Sequence, residues 1–270
     1  MTLSYSRLAE IEQTHQAAAV CTVIQTRGST PRHSGSKMVV FPDGKIEGSI
    51  GGGEVESRVI SLAIESIHDT KPRYTSFSMI DPNSGDPGIC GGTVEIYIEP
   101  LLPPPTLLII GGGHVGKATA HLGKWLGFRV YISDDRPEIC NPGQIPEADE
   151  FFIANSDEVA SIVPLNTQTY VIMTTRGSDY DQKALPGILK TDAAYIGVIG
   201  SRRRWKVTYD TLVKMGIPQN QLDRIHSPLG LDLHAETPEE IAVSILAEII
   251  LLRKGGTGAS MKFQVPADGG

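Results

Sequence analysis

The sequence predicts an α/β protein in two parts, an α+β N-terminal half and a C-terminal half built as a doubly wound parallel sheet. Three observations carry that prediction. "EPLLPPPT" (99–106) sets three consecutive prolines between two strand-like runs, and because proline neither donates to a ladder nor continues a helix, a boundary falls there. Beyond the prolines, short apolar runs alternate with helical stretches, the pattern of parallel strands joined by helical crossovers. The first of those runs, Leu107 to Ile110, opens directly into "GGGHVGKA" (111–118), where Gly111, Gly113 and Gly116 read G-x-G-x-x-G. Such a turn brings backbone N–H groups against a phosphate. The boundaries drawn are 1–102 for the first domain, 103–255 for the second and 256–270 for a flexible tail.

In the first half, residues 6–16 have helical texture and "AAAVCTVIQT" reads as a buried strand. "KMVVFPDGKIEGSI" holds two strand-like runs about a D-G turn, as in a hairpin. From Glu54 to His68 the residues Val55, Val59, Leu62, Ala63 and Ile67 recur at helical spacing. "YTSFSMI" and "TVEIYIEP" supply two further strands. In the second half, strands are expected near 106–111, 129–133, 150–154, 169–174 and 194–199. The helix after the glycines puts Val115, Ala118, Leu122, Trp125 and Leu126 on one face. A last helix, 238–253, begins with Thr237 as N-cap, Pro238 at N1 and Glu240 at N3, a capping box, and Gly255 is its expected stop.

Composition narrows the functions. The chain has 270 residues with 40% hydrophobic content and a formal net charge of -7 from 24 Lys+Arg against 31 Asp+Glu, which disfavours capture of a nucleic-acid backbone. Cys21, Cys90 and Cys140 lie far apart with no C-x-x-C pair, so neither a disulfide framework nor a thiolate zinc cage is indicated, and a reducing compartment is expected. No apolar run approaches the roughly 20 residues of a spanning helix, and the N-terminus lacks a basic flank and an apolar core. A soluble cytoplasmic protein without a membrane partner is the expectation.

In an open α/β sheet, ligands bind beyond the carboxyl ends of the strands. After the first strand come Gly111, Gly113 and Gly116 with His114 beside them. After the second comes "SDDR", where Asp134 stands at the separation expected of an acid that bonds a ribose hydroxyl and Arg136 could meet an extra phosphate. "TTRGSD" with Arg176 and "GSRRR" with Ser201 and Arg202 follow later strands and offer groups for anionic oxygens. No histidine with a carboxylate partner to orient it is legible, which weakens a hydride-transfer reading. In the first half, "QTRGSTPRHSGSKMVV" with Arg32 and the glycine loop "GSIGGGEVES" form either an anion site or a pair of solvated turns; the residues alone leave the two level. Cys90, between turn residues in "DPGICGG", is the cysteine best placed to face a soft metal or a sulfur centre.

Taken together, "RGSTPRHSGSKMVV", "GSIGGGEVE", "CGGTVEIYIEP", "LLIIGGGHVGKA", "YISDDRPE", "AYIGVIGSRRRW" and "IHSPLGLDLHAETPEEIAVSILAEII" resemble the XdhC/CoxI family over nearly the whole chain. The resemblance implies an N-terminal domain of the family's own type, a Rossmann-like C-terminal domain, and a role that is not enzymatic. Such proteins bind the molybdenum cofactor and deliver it, after sulfuration, to an apo molybdenum hydroxylase such as xanthine dehydrogenase. A cysteine desulfurase as a further partner and a homodimer belong to the same implication. On this reading Gly111, Gly113, Gly116, Ser201 and Arg202 hold phosphate, Asp134 holds a hydroxyl or a pterin amine, and Cys90 approaches the metal or its sulfur. The alternative is an NAD(P)-dependent oxidoreductase using the same turn. The chain departs from many relatives at Glu54, where they carry cysteine, at Ser178, where others carry histidine, and at His234, where glycine is common.

Overall fold

The computed structural model describes residues 3–14, 16–79 and 91–262. The chain divides into two compact units, 1–103 and 104–270. In the first, the elements run α1 (Tyr5–Gln13), β1 (Ala18–Arg27), β2 (Lys37–Val40), β3 (Ile46–Gly48), α2 (Gly53–Asp69), β4 (Arg73–Ser78) and β5 (Thr93–Leu101). The strands pair antiparallel in the order β3-β2-β1-β5-β4. Alternation along β1 sends Cys21 and Val23 to the face where α2 lays Val55, Val59, Ala63 and Ile67, with Met38, Val40, Ile96 and Ile98 completing that core. Helix α1 covers the other face through Ile11, against Ala18 and Val39. It ends at Gln13, earlier than its texture predicts, because the Thr14 hydroxyl donates to the carbonyls of Glu10 and Ile11.

The second unit runs β6 (Thr106–Ile110), α3 (His114–Trp125), β7 (Arg129–Asp134), β8 (Glu150–Ile153), α4 (Val159–Ile162), β9 (Thr169–Met173), α5 (Ser178–Ile188), β10 (Tyr195–Val198), α6 (Arg202–Lys214), α7 (Gln219–Leu222), β11 (Ile225–His226) and α8 (Pro238–Lys254). Its six strands are parallel, in the order β11-β10-β9-β6-β7-β8. Leu108 and Ile110 pack with Leu185, Ile188 and Leu212 of α5 and α6 on one face. Leu107 and Ile109 pack with Ala120 of α3 and Leu246 and Ile249 of α8 on the other. A sheet buried on both faces explains why β6, β9 and β10 read as unbroken apolar runs. The order reverses between β6 and β9, and such a switch point opens a crevice at the strands' carboxyl ends.

The expected capping box of α8 is present, Thr237 accepting from Glu240 N–H and Glu240 reaching back to Thr237 N–H, and Gly255 ends the helix with φ 69°. His234 has φ 53°, a left-handed backbone that favours glycine. Residues 256–262 carry neither helix nor strand, and the remainder of the expected tail lies outside the described residues. Among the described residues no helix is long and apolar enough to cross a membrane.

Candidate functional site

The glycine turn joins β6 to α3, and its three fixed glycines are glycine for different reasons. Gly111 has φ 110°, and a Cβ there would lie 2.6 Å from the carbonyl oxygen of Thr174. Gly116 sits so close beneath the turn that a Cβ would come within 2.1 Å of the Gly111 carbonyl oxygen. Both are demanded by the fold. Gly113 is not: its φ is -67°, and a Cβ would meet nothing within 4 Å. It is the N-cap of α3, without a side chain to accept from the first-turn amides, so the amides and the partial positive charge of a helix start are left facing the crevice.

Asp134 ends β7 with its side chain 2% exposed. One carboxylate oxygen accepts from Gly112 N–H and Arg136 Nη2, each at 2.8 Å; the other accepts from Arg136 N–H at 3.0 Å and Arg136 Nε at 2.8 Å. A carboxylate has about four acceptor positions, so all are taken. Burial pushes its pKa upward, but the hydrogen bonds from Arg136 and the two backbone amides outweigh burial and hold it below the ordinary range. Asp134 thus ties the glycine turn to Arg136. Beside it, Asp135 accepts a bidentate pair from Arg176 at 2.9 and 2.7 Å, and the Arg176 guanidinium, hydrogen-bonded to the Tyr180 hydroxyl, lies 4.3 Å over the Tyr180 ring.

The crevice itself is a cleft of about 160 Å³ whose lining includes Gly111, Gly113, Ser133, Ser156, Arg176 and Tyr180. It brings together five of the residues expected from sequence: Gly111, Gly113, Asp134, Arg136 and Arg176. Gly116 stands behind the turn as packing. His114 is turned elsewhere, into a groove of about 520 Å³ between α3 and α8. Ser201 caps α6, accepting from Arg204 N–H at 3.2 Å, and Arg202 is exposed in the first turn of that helix; neither lines the cleft. They follow β10, which β9 separates from β6. Arg32 is exposed in the loop between β1 and β2 of the other unit, and Cys90 lies outside the described residues. Cys21 and Cys140 are buried; burial pushes the Cys21 thiol up to about 12 and also raises that of Cys140.

Several features were not visible in the sequence. Asp181, fully buried, accepts from Thr175 Oγ1 at 2.5 Å and from Arg204 at 2.7 and 3.0 Å, which sews the end of β9 to α5 and α6. Burial raises the Asp181 pKa against the opposing bonds from Thr175 and Arg204. Histidine–carboxylate pairs do exist in space: His226 Nδ1 lies 3.1 Å from Glu248 and His121 Nδ1 lies 2.9 Å from Glu147, each pair more than twenty residues apart in sequence. Neither lines the cleft. In the first unit, the Glu56 carboxylate accepts from Ser49 Oγ, Ile50 N–H and Gly52 N–H at 3.0, 3.3 and 2.8 Å, filling the first glycine loop from within. Among the described residues no group of three or more His, Cys, Asp or Glu is placed to hold a metal ion.

A parallel sheet with its switch point at a glycine turn, preceded by a separate antiparallel unit, defines a two-part protein with a cleft at the strand ends of its second unit. The model of the XdhC Rossmann domain matches residues 107–249 and that of the XdhC and CoxI family matches residues 12–78. The chain belongs to the XdhC/CoxI family. It is 32% identical to the uncharacterized protein YqeB of Escherichia coli over 95% of this chain and 47% of that one, and 31% identical to a probable xanthine dehydrogenase subunit of Bacillus subtilis over 60% of this chain and 47% of that one. The chain spans about half the length of these two relatives. The molybdenum cofactor insertion chaperone PaoD of Escherichia coli is 21% identical over 88% of this chain and 84% of its own. A crystal structure of a xanthine dehydrogenase from Bacillus halodurans shares the fold, with TM-score 0.52, 22% identity and coverage of 94% of this chain and 97% of that one.

Proposed function

We propose that this protein is an accessory factor that binds the molybdenum cofactor in the cleft beyond β6 and passes it to an apo molybdenum hydroxylase such as a xanthine dehydrogenase. The names carried by PaoD and by the Bacillus subtilis relative support the assignment of cargo and partner. The observation that carries the site is Gly113, a helix-capping glycine that neither backbone conformation nor packing requires. A ligand approaching the α3 amides supplies the missing reason. The cofactor's phosphate fits that seat. Arg136 and Arg176 border it, both held by carboxylates, so they add direction and little net charge. The cofactor is cargo here, and this chain's residues bind and orient it.

A nicotinamide coenzyme fits less well. The acid that would accept from a ribose diol, Asp134, has no acceptor position left, and the same saturation removes it as the partner of a pterin amine. The test is purification without oxygen followed by mass spectrometry of released small molecules: a pterin is expected, and a nicotinamide would overturn the reading. Cys90→Ser should lower retention of the molybdenum cofactor while leaving binding of a plain nucleotide unchanged, measured by titration of the full chain. Equal losses on both ligands would contradict a thiolate that faces the metal or its sulfur.

A further inference from the structure

Among the described residues three buried hydroxyls have no hydrogen-bond partner, Thr208 and two that belong to the cleft: Ser133, 1% exposed, and Ser156, 6% exposed. A buried hydroxyl without a partner costs free energy, and native structures leave few of them, so each needs a cause. Register places Ser133 beside Ile110 of β6 and Phe152 of β8, one residue below the glycine turn. Ser156 follows β8, three residues after its last residue. Ser133 at the end of β7, Ser156 in the loop after β8 and the open Gly113 at the start of α3 line the same small cavity. At about 160 Å³, the cavity is well below the roughly 300 Å³ at which sites begin to enclose a drug-sized ligand. It seats one moiety of a larger molecule.

The lining also says which moiety. A ribose diol is read by a free carboxylate; of the two acids lining the cleft, Asp134 is saturated by Arg136 and Gly112 and Asp135 is held bidentate by Arg176. Serine hydroxyls both donate and accept, matching the alternating ring nitrogens, amines and carbonyls along the edge of a heterocycle. Ile110, Ala154 and the glycine backbone give a narrow apolar wall, and the Arg176 guanidinium over the Tyr180 ring stands beside it. We infer that Ser133 and Ser156 form a subsite for the hydrogen-bonding edge of a planar nitrogen heterocycle, pterin or nucleobase, whose phosphate reaches Gly113 and the start of α3. This inference rests on the cargo reading for the ligand's phosphate and adds which end enters the cleft.

The test titrates the full chain, as wild type, Ser133→Ala and Ser156→Ala, with pyrophosphate, with cytidine and guanosine monophosphates, and with a 6-hydroxymethylpterin phosphate. Each serine variant should weaken a heterocyclic probe about tenfold, the scale of one good hydrogen bond, and leave pyrophosphate affinity unchanged. A loss confined to the pterin probe identifies a pterin subsite, and a loss confined to the nucleotides identifies a nucleobase subsite; either supports the inference. The melting temperature without ligand should stay level or rise in both variants, because an unpaired hydroxyl is removed. Unchanged affinity for every heterocyclic probe, no binding of any of them by wild type, or a fall in the unliganded melting temperature would overturn it. If the wild type carries no pterin yet the serine variants weaken nucleotide binding, the cargo reading fails and the subsite stands. If the wild type carries pterin and both variants bind every heterocyclic probe as the wild type does, the subsite fails and the cargo reading stands.

Discussion

The two units each contain three glycines running into a helix, "GGGEVES" before α2 and "GGGHVGKA" before α3, and they use them in opposite ways. Aligned on the glycines, Glu54 meets His114, Val55 meets Val115, and Glu56 meets Gly116. In the first loop Glu56 folds back and gives its carboxylate to Ser49, Ile50 and Gly52. In the second, the matching residue has no side chain, and a Cβ there would strike the Gly111 carbonyl. α2 has acids in its first turn and α3 has none. One carboxylate three residues past the last glycine thus closes the first loop on itself, whereas at the start of α3 no side chain accepts from the cap.

That contrast can be broken from either side. Gly116→Ala should have the largest effect, about 3 kcal/mol or more of stability in the second unit, because the contact it creates is with backbone that cannot swing away; urea unfolding measures it. Asp134→Asn should cost about 2 kcal/mol, since the amide leaves donors of Gly112 and Arg136 without an acceptor. Its pH dependence has a fixed sign. A carboxylate held below its unfolded value contributes fully above about pH 4 and loses that contribution as pH falls through the folded value. The stability gap between wild type and Asp134→Asn should therefore be flat from neutrality to about pH 5 and shrink below about pH 4. Glu56→Ala should cost about 1 kcal/mol and open the first loop, so that sulfate raises the melting temperature of this variant more than that of the wild type. Gly113→Ala should be the mildest, within about 0.5 kcal/mol, because the position has room and an ordinary φ.

Much of the fold was legible because burial on both sheet faces leaves uninterrupted apolar runs, and because the α8 capping box is local chemistry written in four consecutive residues. The glycine turn was legible for the same reason. What the residues could not show was spatial order. Ser201 and Arg202 resemble phosphate ligands at a strand end, but the strand is β10, one place removed from the switch point. Asp134 sits at the spacing of a ribose ligand, yet Arg136, two residues on, curls back and takes its acceptor positions. The pairing of Asp181 with Arg204 joins residues 23 apart, and the isolation of the Ser133 and Ser156 hydroxyls is a property of their surroundings alone.

The central claim is that the amides at the start of α3, uncovered at Gly113, hold the phosphate of a pterin cargo. The most direct measurement compares pterin released from wild type, Gly113→Ala and Gly113→Asp, each purified without oxygen and shown by urea unfolding to be folded. The account predicts pterin from the wild type and none from Gly113→Asp, whose carboxylate would stand where the phosphate must lie, with Gly113→Ala reduced between them. Equal pterin in wild type and Gly113→Asp would contradict it.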